Sequence, residues 1–148
     1  MRRQAEEINP GGFYLAIRAD AGDPAQVRAA VARAEQKLGS LQVLVCNAGI
    51  AQVKLFTDTT DEDWRRMMAV DLDGAFYACR AVLPGMIHRK YGRILLVSSM
   101  WGQTGGSCEV AYSAAKAGLI GLARPLPRRK APAASRSTSL RPVSSTPT

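Results

Sequence analysis

The chain has one histidine, His88, and three cysteines, Cys46, Cys79 and Cys108, among its 148 residues. A single imidazole, with no cysteines at metal-ligand spacing, speaks against both a zinc site and a Ser-His-Asp triad. The odd cysteine count speaks against a disulfide framework. Small buried or half-buried thiols in a reducing cytoplasm are the expectation. No window approaches the ~18 uninterrupted apolar residues of a membrane span, and no signal peptide opens the chain. Neither a membrane nor a secretory role is expected. The formal net charge of +8 is unevenly spread. Arg128, Arg129, Lys130, Arg136 and Arg141 lie in residues 125–148 with no acid, which leaves +3 on residues 1–124. That basic tail has no aromatic to stack on a base, so no nucleic-acid partner is expected.

What is present is an alternation of strand-like and helix-like stretches. The apolar fraction of 47% suits one globular domain. "FYLAIRAD" (13–20) reads as a strand. "DPAQVRAAVARAEQKLG" (23–39) reads as a helix with Asp23 as N-cap, Pro24 at the first helical position and Gly39 closing it. "LQVLVCNAG" (41–49) is a short apolar strand that ends in a turn. Thr60 or Asp61 caps a long helix over 62–89, with bends expected near Gly74 and Pro84 and with Trp64, Met67, Met68 and Phe76 as core. "GRILLVSS" (92–99) is apolar enough to be buried on both faces. A loop then leads to a helix over 111–124. This order predicts an α/β fold with a parallel sheet. After Arg124, "PLPRRKAPAASRSTSLRPVSSTPT" holds five of the eight prolines and reads as a disordered basic tail.

"AYSAAKAG" (111–118) carries the chemistry. On a helix, Tyr112 and Lys116 share one face, one turn apart. An ammonium beside a phenol favours the phenolate, whose pKa is about 10 when unperturbed. With "CNAG" (46–49), "VDLDGAF" (70–76) and "VSS" (97–99), the motif "YSAAK" (112–116) forms an ordered set, and Tyr112 follows Ser99 by 13 residues. The set resembles the short-chain dehydrogenase/reductase family of NAD(P)-dependent oxidoreductases, over residues 4–124.

The resemblance implies a Rossmann-like, doubly wound parallel sheet and an alcohol/carbonyl substrate of small size. By the same likeness Tyr112 is the general acid/base. Lys116 lowers the phenol's pKa and binds the nicotinamide ribose, and Ser99 rather than Ser98 orients the substrate oxygen. Asp20 and Ala21 would contact the adenine of NAD or NADP, and Asn47, Ala48 and Gly49 would line the cofactor. Ile50, Ala51, Trp101, Gly102 and Cys108 would border the substrate. Helices 62–89 and 111–124 resemble dimer-forming helices, which implies a homo-oligomer, and the implied location is cytoplasmic.

The sequence departs from the family pattern at three places. Asp71 stands where the family has asparagine. An ionised carboxylate only accepts hydrogen bonds, so Asp71 can pair with Lys116 or disturb a proton relay. No G-x-x-x-G-x-G, the turn that receives a pyrophosphate at a helix N-terminus, occurs in the chain. The fold expected for residues 1–124 is therefore a partial Rossmann-like domain lacking its first two strands and Gly-rich loop. In the strand order 3-2-1-4-5-6 that leaves "FYLAIRAD" and "LQVLVCN" without their common neighbours, which predicts poor stability or dependence on a partner. At the other end, shifting the reading frame of the stretch "ASRSTSLRPVSSTPT" permits "VPVDVVAPGVIDTD", a likeness of the family's next strand and Pro-Gly turn. Residues 125–148 are on this reading out-of-frame translation. The chain is expected to be an inactive or weak oxidoreductase. The alternative is a non-enzymatic fragment that associates through its dimer helices.

Overall fold

The computed structural model describes residues 13–126 and 135–140. The first helix, α1 (Pro24–Leu38), forms where its end signals lie. Asp23 accepts from the backbone N–H groups of Ala25 and Gln26, Pro24 occupies the first turn, and Gly39 ends the helix at φ 75°. Strand β1 (Val43–Cys46) follows. Thr60 then caps α2 (Asp61–Met68) through a reciprocal box with Asp63, which satisfies two backbone donors that the helix itself cannot. The long helix expected over 62–89 is three segments. After α2 the backbone widens to a π-helical turn at Ala69–Asp73 and resumes as α3 (Gly74–His88), with Pro84 inside it. A π turn shifts the side-chain register, and such turns gather at functional sites. Strand β2 (Gly92–Val97), a single turn α4 (Trp101–Thr104) and α5 (Val110–Ala123) complete the alternation.

All strand pairing is parallel, in the order β1-β2-β3, where β3 is Ser135–Leu140. Val43 pairs with Arg93 and Cys46 with Leu96, while Gly92 pairs with Ser135 and Val97 with Leu140. This is the partial Rossmann-like α/β architecture expected. The core lies between β2 and the helices. Ile94 and Leu96 are buried against Cys79, Val82 and Met86 of α3 and against Leu119 and Ala123 of α5. Cys79 is buried and Cys46 and Cys108 are half-buried, all as free thiols. Contact with Cys79, together with burial, pushes the Cys46 thiol well above its ordinary range, so it stays protonated.

Four expectations change. "FYLAIRAD" forms no strand, and Phe13 is 78% exposed. A strand exists only with a partner to accept its hydrogen bonds, and high β propensity alone supplies none. Strand β2 is not buried on both faces. Its residues alternate, with Ile94 and Leu96 inside, Arg93 exposed and Leu95 and Val97 half-buried, and Val43 and Val45 of β1 are exposed. Trp64 and Phe76 are not core either. They lie on the outer face of α2 and α3, and the Arg80 guanidinium stands 5.0 Å over the Phe76 ring. The tail, expected to be disordered, contributes β3, because the exposed edge of β2 offers a parallel ladder that polar residues can also join. Residues 127–134 and 141–148 of that tail lie outside the described residues. No helix among the described residues is long and apolar enough to cross a membrane.

Candidate functional site

The C-terminal end of β1 turns at Asn47–Ile50, and α5 runs beneath that turn. Between them lies a cavity of about 210 Å³ lined by Asn47, Gly49, Ile50, Ala51, Val97, Ser98, Tyr112 and Lys116. Helical spacing brings Tyr112 and Lys116 together as expected, with Lys116 Nζ over the phenol ring at 5.3 Å from its centroid. Lys116 is only 5% exposed. A buried ammonium needs a counter-charge, and Asp71 supplies it. Lys116 Nζ lies 3.1 Å from Asp71 Oδ2, and the Asp71 side chain has no exposed surface. Asp71 Oδ1 accepts a 2.7 Å hydrogen bond from the Ile50 N–H. The approach at Oδ2 is ionic, not an aligned hydrogen bond.

The two serines divide. Ser98 lines the cavity, but its hydroxyl donates to the Lys116 carbonyl at 2.8 Å and is thereby committed to holding α5. Ser99 Oγ accepts from the Trp101 N–H at 3.3 Å, which leaves its own proton free to donate. Spacing pointed to Ser99, but the serine that lines the cavity is Ser98, and Ser99 is not among the lining residues.

Glycine at position 49 is required by close approach. A Cβ there would stand 2.8 Å from Asp71 Oδ2 and 3.0 Å from Lys116 Nζ. Of the residues expected around the pocket, Ile50 and Ala51 line it. Ala48, Trp101, Gly102 and Cys108 do not.

Asp20 and Ala21 lie elsewhere, in a second cavity of about 490 Å³ shared with Arg18, Gln26, Arg66 and Val70. The Gly22 N–H donates to Asp20 Oδ1 at 2.9 Å, and Arg66 Nη1 pairs with Oδ2 at 3.1 Å. Those two contacts, the backbone bond first, hold the Asp20 carboxyl below its ordinary range. The loop is seated against the π turn. A Cβ on Gly22 would stand 3.3 Å from Ala69 Cβ in that turn, and one on Gly74, which opens α3, would come within 2.7 Å of the Ala21 carbonyl oxygen. The π turn therefore contacts both cavities, through Val70 in the second and Asp71 under the first. Arg66 escaped the sequence reading because it meets Asp20 across 46 residues, a separation no local pattern reports.

The short chain dehydrogenase family model matches residues 1–142. The chain belongs to the short-chain dehydrogenase/reductase family. It is 38% identical over 128 residues to the oxidoreductase UcpA of Escherichia coli strain K12, covering 85% of this chain and 49% of UcpA. It is 42% identical over 122 residues to the inactive 2-(S)-hydroxypropyl-CoM dehydrogenase 2 of Xanthobacter autotrophicus, covering 82% of this chain and 52% of that protein. To the 3-oxoacyl-[acyl-carrier-protein] reductase FabG of Escherichia coli K12 it is 34% identical over 109 residues, 74% of this chain and 45% of FabG. This short-chain dehydrogenase/reductase thus spans about half the length of the curated relatives it matches.

Proposed function

We propose that the chain is an NAD(P)-dependent oxidoreductase by type, acting at an alcohol or carbonyl group, with weak or no turnover as it stands. The observation that carries this reading is the convergence of Tyr112 and Lys116 on one cavity beside Asn47 and Gly49. Tyr112 is the group that gives a proton to a carbonyl oxygen or takes one from a hydroxyl, and Ser99 donates a hydrogen bond to the same oxygen. Lys116 stands beside the phenol, paired with Asp71, and supplies with Asn47 polar contacts for a ribose. Asp20 supplies an acceptor for an adenine amine in the second cavity. A bound nicotinamide ring supplies or accepts the hydride. These residues fit the two ends of a dinucleotide. The relatives named as oxidoreductase and reductase support the chemistry, and the relative named inactive shows that the scaffold occurs without it.

A second reading has its own observation. Trp64 and Phe76 are 41% and 42% exposed on α2 and α3, large apolar rings that a non-enzymatic fragment would bury against another copy. Titration of NADH or NADPH into the purified chain, followed by nicotinamide fluorescence, separates the two. Saturable binding at micromolar levels that is lost in Lys116→Ala supports the oxidoreductase. No saturable binding, with dimers that dissociate on Phe76→Ser, refutes it in favour of the fragment.

A further inference from the structure

Asp71 is a charged residue with no exposed side-chain surface, set between Val70 and Leu72 of the π turn. Its carboxylate is held at both ends. The Ile50 N–H fixes Oδ1 at 2.7 Å, and the Lys116 ammonium sits 3.1 Å from Oδ2. Gly49 closes over both partners with no room for a methyl group. Lys116 is in turn held at its backbone, where its carbonyl accepts from Ser98. The ammonium thus has a fixed position with a full counter-charge at contact distance, and it reaches Tyr112 only over the ring, 5.3 Å from the centroid. Asp71 and Tyr112 are the ionisable groups in contact with Lys116, and the residues that line the cavity from the strand-end turn and β2 are uncharged. Two unit charges at 3 Å and a third group 5 Å away form one electrostatic unit.

We infer that Asp71 is a positioning residue that restrains Lys116: its buried carboxylate anchors the ammonium and cancels its charge, so the phenol of Tyr112 receives little of the cationic help that the lysine alone would give. The charge balance decides the sign. A dipole made of Lys116 and Asp71 stabilises a phenolate far less than a lone ammonium does. A neutral side chain of the same shape, still able to accept from Ile50, restores that field. The inference rests on the reading of Tyr112 as the proton-transferring group, but its test requires no nucleotide.

The test is the ultraviolet titration of Tyr112 in the full chain, isolated from the other three tyrosines by subtracting the corresponding Tyr112→Phe protein. Asp71→Asn is expected to move the Tyr112 midpoint to lower pH by about one unit or more, the size of effect that one nearby charge produces. Asp71→Ser, neutral but smaller, should move it the same way. Where either variant turns over a substrate, its pH–rate profile should move in step. A midpoint that stays in place, or rises, in folded Asp71→Asn overturns the inference. So does loss of the folded circular-dichroism spectrum in both neutral variants, because the pair is then a tie that holds the fold and not a restraint on the phenol. If nucleotide binding is absent while the Tyr112 midpoint still falls, the oxidoreductase reading fails and the restraint stands.

Discussion

Substituting Gly49 by alanine adds one methyl group at the most confined point of the site. The backbone there is not in the left-handed region, in contrast to Gly39 and Gly105, so the effect comes from space and charge alone. The new Cβ would sit 2.8 Å from Asp71 Oδ2 and 3.0 Å from Lys116 Nζ. Neither can move cheaply. Asp71 is short and pinned at its other oxygen by Ile50, the neighbour of Gly49 itself. Lys116 is 5% exposed, and displacing its ammonium separates a buried ion pair. Overpacking of a filled interior costs about 1–3 kcal/mol. Full separation of the pair would raise this toward the ~3–5 kcal/mol of a buried charge left unpartnered. The expected loss is therefore about 2–3 kcal/mol. With a urea slope of roughly 1–3 kcal/mol per molar for a small domain, the unfolding midpoint should fall by about 1 M or more. Gly39→Ala is the control. Its backbone, at φ 75° and ψ −151°, is strained for any L side chain, yet nothing lies within 4 Å of the added methyl. It should lose about 1–3 kcal/mol through strain alone and leave nucleotide affinity unchanged, whereas Gly49→Ala should lose both. A Gly49→Ala protein with an unaltered midpoint would refute the claim that turn, carboxylate and ammonium are packed to contact.

Two further outcomes are expected. Thr60→Ala removes the side chain that accepts from the Asp63 N–H and so opens the capping box of α2. The cost should be about 1 kcal/mol in a urea denaturation curve, with Thr60→Ser close to the parent. Asp63 accepts from Gln52, Lys54 and Thr60, and these bonds, Gln52 first, hold its carboxyl far below the ordinary value of 3.8. A depressed folded value means that its contribution is present above that ordinary value and is lost as the pH falls below it. Unfolding midpoints measured from neutrality down into the carboxylate range should therefore decline for the parent, and Asp63→Asn should show a shallower decline.

The parts of the structure that were legible in advance are those whose determinants lie within a few residues of each other. Helix α1 carries its start in Asp23-Pro24 and its stop in Gly39, and the Tyr112–Lys116 face follows from an interval of one turn. The parts that were not legible depend on partners far along the chain. The Asp71–Lys116 pair is one of two outcomes that the departure at position 71 suggests, but the Asp71 bond to the Ile50 N–H and the Arg66–Asp20 pair are not legible there. The spacing of Ser99 from Tyr112 says nothing of the bond that commits Ser98 to the Lys116 carbonyl, which joins residues 18 apart.

"FYLAIRAD" shows the same logic in reverse, because its composition favours a strand and no strand among the described residues pairs with it. That failure bears directly on β1. Among the described residues β1 pairs on one side only, and Val43 and Val45 are 54% and 56% exposed. The strand nevertheless ends in the turn that carries Asn47, Gly49 and Ile50 into the cavity. A strand with one free edge and an apolar face in water is a weak support. The bond from the Ile50 N–H to Asp71 Oδ1, which an asparagine at position 71 can keep, links that turn to the π turn.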